Sequence, residues 1–154
     1  MTAPPRSNNR IEQRLAAAAA ACEQRGTQFT VQRRAVFGLI LAANKPVTAY
    51  ELLDRFRATH KAATPATIYR ALEFLLANDL IHKVESLSAF IPCIDADHHD
   101  HAAQFYICRR CGAVAERDDH AVIHALEAAA SALGFKPDSI IVEVTGLCAS
   151  CAAS

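Results

Sequence analysis

Thr64-Pro65-Ala66-Thr67-Ile68-Tyr69-Arg70-Ala71-Leu72 is the stretch on which the reading of this chain turns. A threonine cap followed by proline starts a helix, because the fixed φ and missing N–H of proline suit the first helical position. This helix is expected to run to about Ala77, where Asn78-Asp79 ends it. On a helical wheel Ile68, Leu72, Leu75 and Leu76 fall within about 80° of one another and form a stripe that must be buried. Arg70 falls about 200° from Ile68, with Thr67 and Tyr69 to either side of that outer face. The exposed N-terminal half thus offers a hydroxyl, a phenol and a guanidinium, groups that read base edges or grip phosphates. Phe74 also falls on the outer side, and the wheel gives it no role. On this helix alone, a solvated surface helix with an ordinary arginine is the competing reading.

Upstream, Ile11 to Arg25 is alanine-rich and helical, with Gly26 at its end. Thr30 caps a second helix carrying Val31, Phe37, Ile40 and Leu41, which Lys45-Pro46 breaks. Thr48-Ala49-Tyr50-Glu51 is a capping box opening a third helix to about Arg57, in which Asp54 and Arg57 read as an ordinary same-helix pair. Downstream, Leu80–Glu85 and Ala89–Cys93 read as two strands around residues 86–88. Helices ending in a β-hairpin describe a winged helix-turn-helix. Gln32, Arg33 and Arg34 at the start of the second helix and Lys83 near the wing are candidate phosphate contacts.

Beyond the hairpin the pattern changes. Residues 95–103 are polar and histidine-rich and read as a hinge. Gln104–Cys108 and Ala113–Glu116 are strand-like, Asp119–Leu133 is helical and Ile140–Val144 is β-branched. The expected fold is α+β: a flexible arm over 1–10, a winged helix-turn-helix DNA-binding domain over 11–94, the hinge, and a small α/β domain over 104–154.

The composition agrees. The 154 residues are 52% hydrophobic, enough for a core, and no run of about 18 apolar residues could span a membrane. No basic-then-apolar leader is seen, so the expected location is the cytoplasm. The net charge of zero hides a split: residues 1–83 carry a net of +6 and residues 84–154 a net of −6. A basic first half suits a polyanion. Six of the seven histidines lie at 82 or beyond, and five of the six cysteines at 93 or beyond. In an unexported chain that favours metal binding or redox chemistry over structural disulfides.

Cys108-x-x-Cys111 and Cys148-x-x-Cys151 supply four thiolates, the tetrahedral set of a structural zinc. The 36 residues between the pairs leave room for a strand–helix–strand unit that such an ion would staple. A redox reading needs only one pair beside a thioredoxin-like βαβ pattern, which is missing. A second, scattered set is His82, Cys93, His101 and Glu116. A hairpin turn centred between Leu87 and Ser88 would place His82 directly across from Cys93, near enough to share an ion. Pro92 then needs an edge or a bulge. Nitrogen, sulfur and oxygen ligands together suit zinc and argue against a hard-ligand ion. The competing reading makes Cys93 a small buried hydrophobe and His82 a solvated wing residue. His98, His99 or Asp100 could replace His101. His120 and His124 stand four apart on a helix, a spacing that can hold zinc but that solvated histidines also show. Cys22 has no evident partner.

Thr30-Val31-Gln32-Arg33, Pro65 through Leu72, His98-His99-Asp100-His101 and the paired Cys-x-x-Cys motifs together resemble the ferric uptake regulator superfamily, over roughly residues 11–151. His82-Lys83-Val84-Glu85-Ser86, Cys93 and Gly146-Leu147-Cys148-Ala149-Ser150-Cys151 resemble its zinc-uptake branch. The resemblance implies a C-terminal dimerisation domain and a homodimer that represses zinc-uptake genes from an AT-rich palindromic operator. It implies DNA reading by Tyr69 and Arg70, structural zinc on Cys108, Cys111, Cys148 and Cys151, and regulatory zinc on His82, Cys93, His101 and Glu116, about two Zn²⁺ per protomer. It implies no catalysis, no small-molecule substrate and no membrane. One departure is that His101 lies seven residues before Cys108, a wider gap than in iron-sensing members. An iron- or peroxide-sensing regulator is the alternative within the superfamily. A metal-dependent hydrolase is the alternative outside it, and would need an open coordination position. A thiol redox switch is a third.

Overall fold

The computed structural model describes residues 8–94 and 103–154. The chain divides into two compact units, one up to residue 96 and one from residue 97. His98, His99, Asp100 and His101, with nearly all of the expected hinge, lie outside the described residues.

In the first unit the order is α1 (Asn8–Gln24), α2 (Val31–Ala42), β1 (Val47–Thr48), α3 (Ala49–Phe56), α4 (Pro65–Ala77), β2 (Ile81–Val84) and β3 (Ala89–Pro92). The helix starts are set locally. Thr30 Oγ1 accepts the Arg33 N–H at 3.3 Å, and Thr48 and Glu51 complete a reciprocal box in which Glu51 Oε2 accepts the Thr48 N–H at 2.8 Å. At α4, Thr64 donates its N–H to Thr67 Oγ1 at 3.3 Å and Pro65 follows at the first helical position. The stripe read from the wheel is buried, with Ile68, Leu72 and Leu75 packed against Phe37, Ile40, Leu41, Leu52 and Phe56. Asn78, buried at the end of α4, donates to the Phe74 carbonyl at 2.9 Å and accepts on its own carbonyl from Arg25 at 2.8 Å. The helix is thereby tied to the end of α1. Arg57 Nε donates to the Ala63 carbonyl at 2.9 Å and braces the α3–α4 connection. Among the described residues no ion pair joins Asp54 to Arg57.

The wing is a three-stranded sheet in the order β1-β3-β2, all antiparallel. Its register corrects the expected one. His82 faces Ile91, and Cys93 donates its N–H to Leu80 at 3.0 Å, so His82 is not directly across from Cys93. The cause is the turn. Glu85–Leu87 form a 3₁₀ turn and Ser88 takes a left-handed φ of 47°, so the loop spans residues 85–88 and its centre lies between Ser86 and Leu87, one residue earlier than expected. His82 and Cys93 keep a common face as diagonal neighbours, because side chains alternate with period two. Pro92 sits on the central strand, yet β1 pairs only with Ala89 and Phe90 and ends before it. The missing N–H therefore falls where no strand needs it.

In the second unit β4 (Ala103–Cys108) is flanked by β5 (Val114–Asp118) antiparallel and by β6 (Val142–Gly146) parallel, with α5 (His120–Ala132) in the crossover. A short α6 (Ala149–Ala152) follows. Gly112 turns the chain between β4 and β5 at φ +74°, donating its N–H to the Cys108 carbonyl at 3.0 Å. Gln104, fully buried, clamps the Asp119 backbone: Oε1 accepts from its N–H at 3.0 Å and Nε2 donates to its carbonyl at 3.1 Å. This fixes the entry to α5.

Candidate metal centre and nucleic-acid surface

The outer face of α4 is open. Tyr69 is 56% exposed and Arg70 is exposed, while Thr67 is half-buried beside Gln32 in a groove of about 300 Å³ that also includes Phe56, His60 and Lys61. The His60 ring lies flat on Phe56, 4.1 Å between centroids. Arg33 behaves differently from a free phosphate contact: its guanidinium sits 3.8 Å above the Phe74 ring and donates to the Gln28 carbonyl. This gives Phe74 the role the wheel lacked. It is the platform that ties the start of α2 to α4. Lys83 is exposed on β2 and pairs with Glu85 at 3.2 Å.

The four cysteines of the second unit converge. One sulfur from each of Cys108, Cys111, Cys148 and Cys151 lies within 4.8 Å of the others, and Cys111 Sγ to Cys148 Sγ is 3.8 Å. A tetrahedron with Zn–S bonds of about 2.3 Å has edges of about 3.8 Å, so the donors fit a four-thiolate zinc. A disulfide needs sulfurs about 2 Å apart, and none is formed. The backbone N–H groups of Cys111 and Cys148 aim at Cys108 and pull its thiol down to about 5. Cys151, engaged by the Cys148 side chain, is pushed up to about 12. A thiol drawn down in this way gives up its proton more readily to a metal. Four protein sulfurs leave no open coordination position, which a hydrolase would require.

In the first unit a ligand atom of His82 and the Cys93 sulfur lie within 4.8 Å of each other, with Cys93 buried and His82 half-buried. Glu116 is half-buried on β5 of the second unit. A soft thiolate beside an imidazole suits a borderline ion such as zinc.

A family model described as the ferric uptake regulator family matches residues 24–145. The chain belongs to the ferric uptake regulator family. Among its relatives, the zinc uptake regulation protein of Escherichia coli (strain K12) is 39% identical over 137 residues, covering 89% of this chain and 80% of that protein. A solved zinc uptake regulator complexed with zinc and DNA superposes with a TM-score of 0.89 at 36% identity, over 96% of this chain and 97% of that one. A crystal structure of holo XcZur superposes at 0.83 with 47% identity, over 91% and 97%.

In this family member the other candidate ligands stand apart. His120 and His124 are exposed on α5 with ring centroids 6.5 Å apart, each beside its own carboxylate: Asp118 at 3.8 Å and Glu127 at 3.3 Å. Cys22 is buried in the first unit's core. Two residues to which the sequence assigns no role enter through long-range contacts. They are Phe74, under Arg33, and Arg14, whose Nη2 donates to the Cys93 carbonyl at 2.6 Å. Neither partnership leaves a local signal, because the partners are 41 and 79 positions away. No described helix is long and apolar enough to cross a membrane.

Proposed function

We propose that the chain is a zinc-responsive transcriptional repressor, acting in the cytoplasm as a zinc-loaded homodimer on an AT-rich palindromic operator of zinc-uptake genes. The observation that carries this is the pairing, within one unit, of an outward Thr67-Tyr69-Arg70 face on a capped helix, read here as the recognition helix, with a buried cysteine and a half-buried histidine side by side at the wing. Thr67, Tyr69 and Arg70 read bases and phosphates. Gln32, Lys83 and the remaining donors of Arg33 add contacts to the backbone.

Cys108, Cys111, Cys148 and Cys151 hold a structural ion. His82, Cys93, His101 and Glu116 form the regulatory set, drawn from the wing (His82 and Cys93), the expected hinge over 95–103 (His101) and the second domain (Glu116). Zinc, when bound there, supplies a four-coordinate link without redox chemistry. Ligands from separate domains that share one ion fix the angle between those domains. In a dimer that angle presents two recognition helices to successive major grooves, about 34–36 Å apart. Linkage then requires operator DNA to tighten zinc binding by the factor with which zinc tightens DNA binding. Exposed Leu126, Leu133, Phe135, Ile141 and Val144 in the second unit support a face that a second copy covers.

The test is an anisotropy titration on an AT-rich palindrome with zinc, iron and manganese in parallel. Zinc should promote binding at the lowest free concentration, and Cys93→Ser should abolish the response while leaving a folded dimer. Equal responses to all three ions, or a fully responsive Cys93→Ser, would overturn the reading.

A further inference from the structure

Cys93 stands one residue beyond the end of β3. The ladder holds its N–H, through Leu80 at 3.0 Å. Its carbonyl is gripped from another element. Arg14 on α1 reaches across and donates Nη2 to the Cys93 carbonyl at 2.6 Å. A guanidinium donor makes this a charge-assisted bond, stronger than a neutral one.

The base of Arg14 is itself fixed. Leu15, Ala18 and Cys22 bury the same helix in the core. Glu12 pairs with Arg34 of α2 at 2.7 Å. Arg14 also lines, with Arg10, Ile11, Leu41 and Ile94, a cleft of about 170 Å³ against the chain just after Cys93.

We propose that Arg14 is a positioning residue for the Cys93 thiolate, holding the Cys93 peptide so that the sulfur stays on the wing face it shares with His82. The inference rests on the reading of His82 and Cys93 as metal ligands. Partners that orient ligands from behind change metal affinity by about 10–100-fold when removed. Because the guanidinium grips the carbonyl of the same residue, it acts on the sulfur's orientation.

The experiment uses the full-length chain with Arg14→Met, Arg14→Lys and Cys93→Ser. Zinc affinity at the two sites is resolved by competition with a chelator series, and the visible spectrum is recorded with cobalt(II) in place of zinc. Arg14→Met should weaken the His82–Cys93 site by about 10–100-fold, with the four-cysteine site unchanged. Its thiolate-to-cobalt charge-transfer band should also lose intensity. Arg14→Lys, which keeps one charged donor, should recover part of both. Wild-type affinity and spectrum in Arg14→Met, with Cys93→Ser defective, would remove Arg14 alone. Equal weakening at both sites with a lower melting temperature would make Arg14 a general brace and overturn the proposal. Wild-type zinc binding by Cys93→Ser would instead remove the ligand reading, and the role of Arg14 with it.

Discussion

The Arg33 guanidinium lies 3.8 Å above the centre of the Phe74 ring, joining the first turn of α2 to α4. An arginine over an aromatic face at an accessible site contributes about 0.5–1 kcal/mol. A double-mutant cycle of Arg33→Ala and Phe74→Leu, followed by urea unfolding, should show coupling of that size. Strict additivity would mean the two side chains are merely adjacent.

Arg70→Ala should weaken operator binding by about 1–3 kcal/mol if the side chain grips a guanine edge. Zinc content should stay at the wild-type level. The contribution is checked by anisotropy at several salt concentrations. A loss that falls equally on operator and random duplex, with a shallower salt slope, would assign Arg70 to a phosphate instead.

Cys111→Ser removes one corner of the four-thiolate set. Hydrogen exchange across β4 and β6 should rise sharply, while α2 and α4 in the first unit keep their protection. Chelation of the wild-type chain should reproduce this pattern, because a structural zinc stabilises the fold that it closes. Unchanged exchange in β4 and β6 would show that this lobe stands without the ion.

Glu51 gives a pH prediction. The Thr48 backbone N–H, first among its partners, holds its carboxyl below the usual 4.5. A carboxylate depressed by folding stabilises the folded state fully above the unfolded value. That contribution is lost as pH falls through the lower folded value. The side chain is accessible to solvent, so the contribution is about 0.5 kcal/mol. Glu51→Gln should lower the melting temperature at pH 7 and make no difference well below pH 4. An equal deficit at both pH values would show that charge plays no part in the cap.

Local signals made the helices legible. Thr64-Pro65 and the Thr48–Glu51 box set the starts of α4 and α3 within a few residues of sequence. The cysteine pairs were legible because their spacing alone is informative. What escaped was non-local. β1 is two residues long and exists only because Val47 and Thr48 meet Phe90 and Ala89. The hairpin register depended on Ser88 accepting a left-handed conformation, which a serine does not announce. The Arg14 and Phe74 partnerships cross from one helix to distant chain, where periodicity is silent.

The 3.8 Å approach of Cys111 to Cys148 also bears on the chain when it is not folded. Joined through one ion, these residues close a loop of nearly forty positions. In the chain-entropy picture a covalent link of that size deprives the denatured ensemble of disorder equivalent to about 4 kcal/mol. A metal clasp that survives denaturation would act in the same way. Such a lobe would gain part of its durability from the conformations its random coil can no longer visit.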